Sequence, residues 1–532
     1  MLNHNWREAT WLDLDQPWDI IVIGGGITGA GIFNMAAQEG LKVVLLEAND
    51  FAFGTSSRSS KLVHGGIRYL KNRQFDVVRE SVKERERLLR ESDGLVDSLP
   101  FIFPSYEDNQ RETKMMKLGV IVYDLMAPKW QHRNLNKTQT QKALPALTME
   151  TLTGGVKYYD ALVDDSQLVL RVIMDGIRFG GSAINYCQVI ELCKSKADDV
   201  EGVIVEDKTG KMKPSHLELR GKVVINATGP WSDTLREKIN GAPKLRRLRG
   251  SHLVFSKDAI PLNAAVTMLH PRDNRALFAI PWENRILIGT TDLDHDIKQS
   301  ARKHYIDETY ITSDEVDYLI EATRHTFPDH PVSEEDIIST FSGLRPIIQT
   351  NAPTPSQESR AHEIWCENGL VTIAGGKLTI FRVMAADVLN YCANKLPGNP
   401  NFDHRSICFI HPEPENRHDL KNPNWNLMAG RLGNDVNKFF KTANRQDLQP
   451  ITPITELWAE LAWAAENEAV VHLDDLLLRR VRLGVLFPDA GMDLIDEVRK
   501  RIQVPLGWSN QTWDYEVERY LQIWRENYYL PG

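Results

Sequence analysis

Short apolar runs and stretches of helical spacing alternate along the first part of this chain. The run 19–23 stops at Gly24, a pattern that predicts a buried parallel strand. Small and apolar residues then recur at helical spacing over 27–39, and Gly40 follows where a glycine commonly ends a helix. The run 42–47 predicts a second buried strand. Strand, helix and strand in this order predict a βαβ unit.

The middle of the chain mixes apolar strands with one long helical pattern. Apolar residues at 222–228 predict another buried strand. Segments 276–281 and 285–291 predict paired strands that are joined by a polar turn. A predicted strand at 370–374 runs into a glycine pair, and a helical pattern follows it to about residue 395.

The two ends of the chain differ from the middle. Residues 1–17 are polar, and we interpret them as a tail. Chain breakers near 397–400 begin a polar stretch that separates a last region from the rest. Thr452-Pro453 fits a helix N-cap followed by proline at the first helical position, and apolar residues beyond it repeat at helical spacing. These features predict a separate helical domain over 405–532.

Composition and charge narrow the class of protein. The chain has 532 residues, which implies roughly two to four domains. Hydrophobic residues make up 42% and charged residues 25%, as in an ordered globular protein. Because the net charge is -9, the chain lacks the overall basic surface of a nucleic-acid-binding protein, and we expect no nucleic-acid partner.

The cysteines and the N-terminus indicate a compartment. The 5 cysteines are scattered and form no C-x-x-C pair. This spacing argues against a disulfide framework and a cysteine zinc site, and it favours a reducing cytoplasm. Because no H-E-x-x-H motif or EF-hand loop occurs, we predict no metal. The N-terminus lacks the apolar core of a signal peptide, and no apolar run reaches the ~18 residues that span a bilayer.

Residues 24–29 fit the pattern G-x-G-x-x-G between the first predicted strand and helix. In a dinucleotide-binding turn, Gly24 permits the tight turn, Gly26 lets the backbone approach a pyrophosphate, and Gly29 lets the helix pack on the sheet. The helix N-terminus offers N–H groups to the phosphates. Glu47 ends the next strand at the distance expected for an acid that binds a ribose diol.

The next segment decides between NAD and FAD. Residues 54–70 are rich in serine, threonine and glycine, and they stand where a second helix would ordinarily continue a nucleotide-binding half. Closely spaced hydroxyl and N–H groups suit the polyol and pyrophosphate of an extended FAD. The alternative, a serine-rich surface loop, is weakened by Lys61, His64 and the glycine pair that follows. We interpret His64 as a cofactor contact.

An ordered set of motifs gives the chain a family resemblance. From about residue 18 to 395 it resembles the FAD-dependent, respiratory and quinone-linked glycerol-3-phosphate dehydrogenases, and it does so more faintly beyond. Any one motif is weak, but the ordered set is specific, and general flavoproteins lack GSHLV and SGLRP. The motifs are IVIGGGITGAG (21–31), TSSRSSKLVHGGIRYL (55–70), VDD (163–165), NATGPW (226–231), GSHLV (250–254), IPW (280–282), IGTTD (288–292), SGLRP (342–346), AGGKLT (374–379) and LDDLLLRR (473–480).

The resemblance implies a reaction and its partners. Glycerol 3-phosphate would lose two hydrogens at C2 to give dihydroxyacetone phosphate, while FAD is reduced. Electrons would then pass to ubiquinone or menaquinone. These partners place the protein in the cytoplasm, bound peripherally to the inner face of the cell membrane, and they are compatible with a homodimer.

We assign the cofactor contacts to the glycine turn, the hydroxyl-rich segment and the later glycine motifs. They are Gly24, Gly26, Ile27, Thr28, Gly29, Glu47, Thr55, Ser56, Ser60, Lys61, Leu62, His64, Gly65, Gly66, Gly229, Gly375, Gly376, Leu378 and Thr379.

Alcohol oxidation by hydride transfer needs an oriented C2 hydrogen, a proton acceptor and an anchor for the phosphate. Arginine suits a phosphate dianion because it makes bidentate contacts. The family motifs place Arg68 and Arg345 at the substrate, whereas Arg360 matches the family more loosely. For each arginine the alternative is a salt bridge to an acid. Tyr69 would hydrogen-bond the substrate or pack as an ordinary aromatic.

His252 and Lys377 compete for the role of proton acceptor. A neutral imidazole has an ordinary pKa of ~6.5, and the GSHLV motif places His252 at the site. The alternative for His252 is a histidine that only hydrogen-bonds substrate or backbone. Lys377 begins a predicted helix and could reach the flavin or the substrate hydroxyl. The predicted catalytic set is therefore His252, Lys377 and Arg345, and Arg68, Tyr69 and Arg360 complete the substrate site.

A quinone reductase must contact lipid. The segment 115–130 is apolar between basic flanks and carries Tyr123 and Trp130, as a helix in a headgroup layer does. The alternative is an ordinary buried helix of the cap domain. Asp124 in the middle of the run favours that alternative.

We predict an α/β fold with a Rossmann-like FAD-binding domain, an antiparallel-sheet substrate or cap domain, and a C-terminal helical domain. The oxidoreductase part is expected over 15–400. Its FAD-binding segments are 15–95, 155–240 and 340–395, its cap segments are 96–154 and 241–339, and the helical domain is 405–532.

Rival functions remain open at this point. An oxidase of the same family would pass electrons to oxygen and release hydrogen peroxide. A non-catalytic flavin-binding redox sensor would hold FAD that glycerol 3-phosphate cannot bleach. A flavoenzyme that acts on an amino acid would need a carboxylate clamp.

Overall fold

The fold combines two sheets with helices on their faces. A computed structural model describes residues 2, 6–67, 74–126, 131–295, 309–350, 358, 360–406, 409, 412–415 and 422–531. The strands are β1 (Trp18–Ile23), β2 (Val43–Leu46), β3 (Leu62–Val63), β4 (Val96–Tyr106), β5 (Arg133–Asn136), β6 (Leu152–Val163), β7 (Ser182–Ile184), β8 (Cys187–Lys194), β9 (Val200–Asp207), β10 (His216–Asn226), β11 (Leu245–Ser256), β12 (Ala265–Leu269), β13 (Ala276–Trp282), β14 (Arg285–Gly289), β15 (Leu293–Asp294), β16 (Ile337–Ile348), β17 (His362–Glu367) and β18 (Leu370–Gly375). The α-helices are α1 (Trp6–Asp13), α2 (Ile27–Gln38), α3 (Phe75–Glu91), α4 (Gln110–Met126), α5 (Lys137–Ala143), α6 (Asp165–Arg178), α7 (Ser232–Glu237), α8 (Ser313–Thr326), α9 (Phe381–Cys392), α10 (Trp425–Leu432), α11 (Val436–Thr442), α12 (Trp458–Asn467), α13 (Leu473–Asp475), α14 (Leu483–Leu486), α15 (Ile495–Ile502) and α16 (Asn510–Asn527).

A largely parallel sheet forms one half of the fold and carries the glycine-rich turn after β1. Its strand order is β17-β18-β10-β1-β2-β7, and β9 and β8 extend it from β10. The strands β18, β10, β1, β2 and β7 run parallel. Helices α2, α6 and α9 cover one face with a continuous apolar core, and α1 packs against the other face. The predicted βαβ unit is confirmed as β1, α2 and β2.

A second, mostly antiparallel sheet has the order β15-β11-β14-β13-β12-β4-β6-β3, with β16 along β11 and β5 along β6. Helix α8 packs on one face, and the C-terminal helices pack on the other. The predicted fold class, with its Rossmann-like part, antiparallel sheet and helical domain, is thereby confirmed.

The two sheets share segments of the chain. Position 155, a predicted segment boundary, lies inside β6, and position 340 lies inside β16. Both strands, together with β3, belong to the antiparallel sheet. The hydroxyl-rich segment that leads into β3 therefore runs from one sheet to the other, which brings residues of both sheets to one cavity.

The predicted strand pair at 276–281 and 285–291 is confirmed as β13 and β14. Glu283 and Asn284 join the strands with φ angles of 49° and 54°. Positive φ at both central residues matches the turn that follows the twist of a hairpin.

The polar N-terminus is not a plain tail, so that prediction was wrong. Helix α1 covers Trp6–Asp13, and its Trp11 is buried against the parallel sheet. The buried Arg7 donates to Asp207 over 2.6 Å. Polar composition hid this helix because its anchors are a tryptophan and a paired arginine rather than an aliphatic stripe.

The helix start predicted at Thr452-Pro453 was also wrong. The chain is still extended at Leu457, whose side chain is fully buried, and α12 begins at Trp458. Glu460 caps this helix, because its carboxylate accepts a 2.7 Å hydrogen bond from the Leu457 N–H. Burial of Leu457 and the cap from Glu460 therefore set the boundary.

Buried ion pairs join the C-terminal helical domain to the parallel-sheet domain. Arg479 and Arg480, both fully buried, donate to Asp50 over 2.6 Å. Because an unpaired buried charge is costly, these contacts fix how the two domains meet. Within the described ranges, no helix combines the length and hydropathy that crossing a bilayer requires.

Candidate functional site

At each of the three motif glycines in the turn after β1, a side chain would meet a close neighbour. Gly24 has φ +113°, and a Cβ there would lie 2.6 Å from the Ala227 carbonyl oxygen. A Cβ on Gly26 would lie 3.1 Å from Ser56 Oγ, and a Cβ on Gly29 would overlap the carbonyl oxygen of Gly24. The turn is thus as bare as a pyrophosphate needs, at the N-terminus of α2.

Glu47 follows β2 and points its carboxylate back at the turn. It accepts hydrogen bonds from the Gly25 N–H over 2.6 Å and from the Asn49 N–H over 2.8 Å. Desolvation raises the pKa of Glu47 to about 7, although these hydrogen bonds oppose the rise. The side chain lines the cavity, where it can accept hydrogen bonds from a ribose diol.

One cavity of about 810 Å³ runs from this turn to the antiparallel sheet. Most of the predicted cofactor residues line it: Gly24, Gly26, Ile27, Thr28, Glu47, Thr55, Ser56, Ser60, Leu62, His64, Gly229, Gly375, Gly376, Leu378 and Thr379. The predicted substrate residues His252, Arg345, Arg360 and Lys377 line it as well. Two predicted site residues, Arg68 and Tyr69, lie outside the described residues.

A few predicted cofactor residues lie behind the cavity wall. Gly29 packs α2 on the sheet, and Gly65 donates its N–H to Tyr123 Oη over 2.8 Å. Lys61 is buried and forms an ion pair with Asp165. Gly66 has φ +78° in the same bend of the chain. None of these four residues is among the described residues that line the cavity.

His252 stands on β11 at the antiparallel-sheet end of the cavity. Its ring stacks on Phe341 with centroids 4.7 Å apart, and its Nε2 lies 2.9 Å from Ser60 Oγ. Gly289 faces the ring from β14, where a Cβ would collide with it. Burial, with Arg345 and then Lys61 nearby, holds the pKa of His252 well below its usual 6.5. The imidazole is therefore neutral at neutral pH.

Guanidinium groups gather around a single buried carboxylate beside this histidine. Arg345 Nη1 lies 2.9 Å from Asp292 Oδ1. Arg360 and Arg275 lie 3.7 and 3.6 Å from Asp292 Oδ2. Arg345 and Arg360 thus make a salt bridge and still line the cavity, so the alternatives posed from the sequence coexist. Among the described residues, these three guanidinium groups meet one carboxylate, and this arrangement favours an anion such as phosphate at the wall.

Sequence reasoning missed some residues of this site. Asp292 and the cavity-lining Thr290 both lie in the motif IGTTD, yet neither was singled out. Thr290 accepts a 2.9 Å hydrogen bond from Arg345 Nη2. Trp231, the last residue of NATGPW, also lines the cavity. Their presence in the motifs was the available signal.

A nucleotide turn and a cationic pocket that share one cavity between a parallel and an antiparallel sheet define an FAD-dependent oxidoreductase. Two family models agree: "FAD dependent oxidoreductase" matches residues 19–382, and "C-terminal domain of alpha-glycerophosphate oxidase" matches residues 395–513.

Relatives narrow the class further. The aerobic glycerol-3-phosphate dehydrogenase of Staphylococcus haemolyticus is 35% identical over 88% of this chain and 87% of its own length. Glycerol-3-phosphate dehydrogenase 2 of Mycobacterium bovis is 32% identical over 97% of this chain and 89% of its own length. The chain belongs to this family of glycerol-3-phosphate dehydrogenases.

Solved structures show the same architecture. The glycerol-3-phosphate dehydrogenase of Bacillus halodurans, complexed with FAD, superimposes with a TM-score of 0.77 at 27% identity and covers 98% of both chains. The L-alpha-glycerophosphate oxidase of Mycoplasma pneumoniae, with FAD bound, shares the fold with a TM-score of 0.57 at 19% identity, over 73% of this chain and 98% of its own.

Proposed function

We propose that this chain oxidises glycerol 3-phosphate to dihydroxyacetone phosphate with FAD. The observation that carries the proposal is the cavity itself. A nucleotide turn forms one end, and a neutral His252 lies beside the paired Arg345 and Arg360 at the other end. Family membership supports the same reaction.

The residues of this chain fit FAD. Gly24 and Gly26 leave backbone bare at the N-terminus of α2, where a pyrophosphate gains N–H donors. The Glu47 carboxylate can accept hydrogen bonds from the ribose hydroxyls, and the hydroxyl-bearing Thr55 and Ser56 line the cavity beyond it. FAD, when bound, supplies a ring that accepts a hydride.

The residues at the substrate end of the cavity bind the phosphate, orient the C2 hydroxyl group and accept its proton. Arg345 and Arg360 anchor the phosphate, because guanidinium groups match its oxygens in pairs. His252 accepts the hydroxyl proton as the C2 hydrogen leaves, since its imidazole is neutral. Lys377, which lines the same cavity, orients the hydroxyl and is the rival base. Arg68 and Tyr69 complete the proposed site.

The proposed electron acceptor is a membrane quinone, ubiquinone or menaquinone. The proposed contact is with the inner face of the cell membrane, and the exposed side of helix α4 supports contact with lipid. It exposes 55% of Met115, 64% of Leu118 and 71% of Leu125. Asp124, which lies in the middle of the predicted apolar segment, is buried and paired with His132. Helix α4 therefore presents an apolar stripe to solvent, as an interfacial helix does. The expectation that Tyr123 lies in the headgroup layer was wrong, because its ring is buried, and Trp130 lies outside the described residues.

The test supplies purified holoenzyme with glycerol 3-phosphate and compares acceptors. We expect dihydroxyacetone phosphate to accumulate with a soluble quinone analogue under anaerobic conditions. Faster turnover with oxygen and stoichiometric hydrogen peroxide would instead identify an oxidase. Absence of the product with either acceptor would contradict the proposed function, and a redox sensor predicts this outcome. A homodimer remains a prediction.

A further inference from the structure

We propose that Arg482, in the C-terminal helical domain, is a positioning residue for the proton acceptor of the oxidoreductase domain. Arg482 acts through Asp165, which anchors the loop that holds Ser60 against His252. The inference rests on the proposed function for its catalytic meaning.

Asp165, the first residue of α6, is a fully buried centre of hydrogen bonds. Its Oδ2 accepts from the backbone N–H of Ser59 over 3.1 Å and from Ser59 Oγ over 2.7 Å. Both of its oxygens lie 2.9 Å from Lys61 Nζ. Its Oδ1 accepts from Arg482 Nη2 over 2.8 Å. Asp165 therefore ties the segment 59–61 to the C-terminal domain.

The two anchors stand on either side of Ser60. Lys61 has φ +58°, a left-handed conformation that a residue with a Cβ keeps only when its surroundings hold it. Its Nζ also donates to the Ser57 carbonyl oxygen over 2.6 Å, which closes the loop. With Ser59 and Lys61 both held by Asp165, Ser60 Oγ is fixed 2.9 Å from His252 Nε2.

Arg482 adds a second cation to Asp165, and this cation comes from the C-terminal domain. It pairs with Asp164 as well as Asp165, and it donates to Ser166 Oγ over 2.9 Å. Its guanidinium and Lys61 Nζ each lie 5.3 Å from the Trp282 ring centroid. Without Arg482, the buried Asp165 would lose one of its two cationic partners, whereas the partly exposed Asp164 would keep Arg431 at 3.6 Å. The carboxylate of Asp165 would then be held by the loop alone, so the position of the loop beside His252 would no longer be tied to the C-terminal domain.

A purely structural role is the alternative, because Arg482 also helps the domains to dock. Arg480 provides the matched control. It is equally buried and joins the same two domains, but it pairs with Asp50 rather than Asp165. Loss of either arginine should lower the Tm, whereas only Arg482 is linked to His252.

The experiment compares the holoenzymes of Arg482→Met, Arg482→Lys and Arg480→Met with the wild type. Anaerobic stopped-flow mixing with saturating glycerol 3-phosphate gives the rate of flavin reduction. We expect Arg482→Met to be slower by about tenfold to 100-fold, as a small displacement of a reacting group produces. Arg482→Lys should recover part of the rate, and Arg480→Met should keep the wild-type rate. Equal rates in the two methionine variants would overturn the proposal.

Two further measurements keep the inference testable. If Arg482→Met does not fold, Ser59→Ala removes a contact of Asp165 from the loop side, and a wild-type rate there would overturn the proposal. The NMR signal of the His252 ring can be assigned by its absence in His252→Asn. Its chemical shift should change in Arg482→Met and should equal the wild-type value in Arg480→Met. An unmoved signal would count against positioning. If wild-type flavin is not reduced by the substrate, the proposed function fails, and this signal still decides the positioning role.

Discussion

Arg345 Nη1 lies 2.9 Å from Asp292 Oδ1, so the guanidinium that faces the cavity is already held by a buried acid. Its other nitrogen donates to Thr290 Oγ1 over 2.9 Å. A fixed arginine loses less conformational entropy when it binds a phosphate than a free one does. The ion pair therefore prepares the anion site as well as stabilising the fold.

Asp292→Asn should weaken substrate binding and spare the cofactor. The amide would turn an N–H₂ group toward a guanidinium, which releases Arg345 and Arg360 from their shared anchor. We expect the KM for glycerol 3-phosphate to rise about tenfold, with FAD affinity unchanged. Asp294→Asn is the control, because Asp294 pairs with Arg246 on the surface. An unchanged KM, or an equal loss of FAD, would argue against this role.

His252→Ala should slow flavin reduction by about 10²-fold or more, the usual contribution of a general base. Because burial and nearby cations hold the pKa of His252 well below 6.5, the wild-type rate should not decline as the pH falls from 8 to about 6.5. His270→Asn is a suitable control, since His270 is also buried and stacked, on Tyr318, away from the cavity. A decline centred at or above pH 7 that His252→Ala abolishes would contradict this account.

FAD affinity should depend on the ionisation of Glu47. Its pKa is raised to about 7, and the ionised form accepts hydrogen bonds from ribose hydroxyls better than the protonated form. Affinity for the apoprotein should therefore increase as the pH rises through 7. Glu47→Gln should bind FAD about tenfold more weakly and without this pH dependence. Fluorescence titration of FAD measures both quantities, and an equal slope in the variant would refute the assignment.

The exposed apolar face of α4 should bind to the membrane surface. We expect the wild type to sediment with vesicles of phosphatidylcholine and phosphatidylglycerol. The double substitution Leu118→Ser and Leu125→Ser should weaken this binding at least about tenfold, because two exposed leucines no longer enter the lipid. Val504→Ser with Tyr515→Ser removes exposed apolar groups from the C-terminal domain and should sediment like the wild type. Equal loss in both pairs would disprove a specific docking face.

The nucleotide turn could be predicted from the sequence because its chemistry is local. Gly24, Gly26, Gly29 and Glu47 follow each other at fixed spacing around one strand and one helix. Sequence order alone predicts that the glycine turn lacks side chains and that the acid stands at the end of the next strand. The family motifs extended that prediction to His252 and the cavity-lining arginines.

The roles of the supporting residues could not be predicted, because they depend on contacts with residues that are distant in the sequence. Asp292 lies in a recognised motif, but only the fold shows that it gathers arginines from other segments. Lys61 was assigned to the cofactor because of its neighbours, yet it turns away toward Asp165. Asp124 interrupts the apolar run in the sequence, but in the fold its carboxylate is buried and paired with His132.

The absorbance spectrum of the purified protein during anaerobic addition of glycerol 3-phosphate tests the central claim most directly. The account predicts a flavin spectrum that glycerol 3-phosphate bleaches and that glycerol, which lacks the phosphate, leaves unchanged at the same concentration. A colourless protein that cannot be reconstituted with FAD would contradict it. So would a flavin that both compounds bleach equally, or that neither compound reduces.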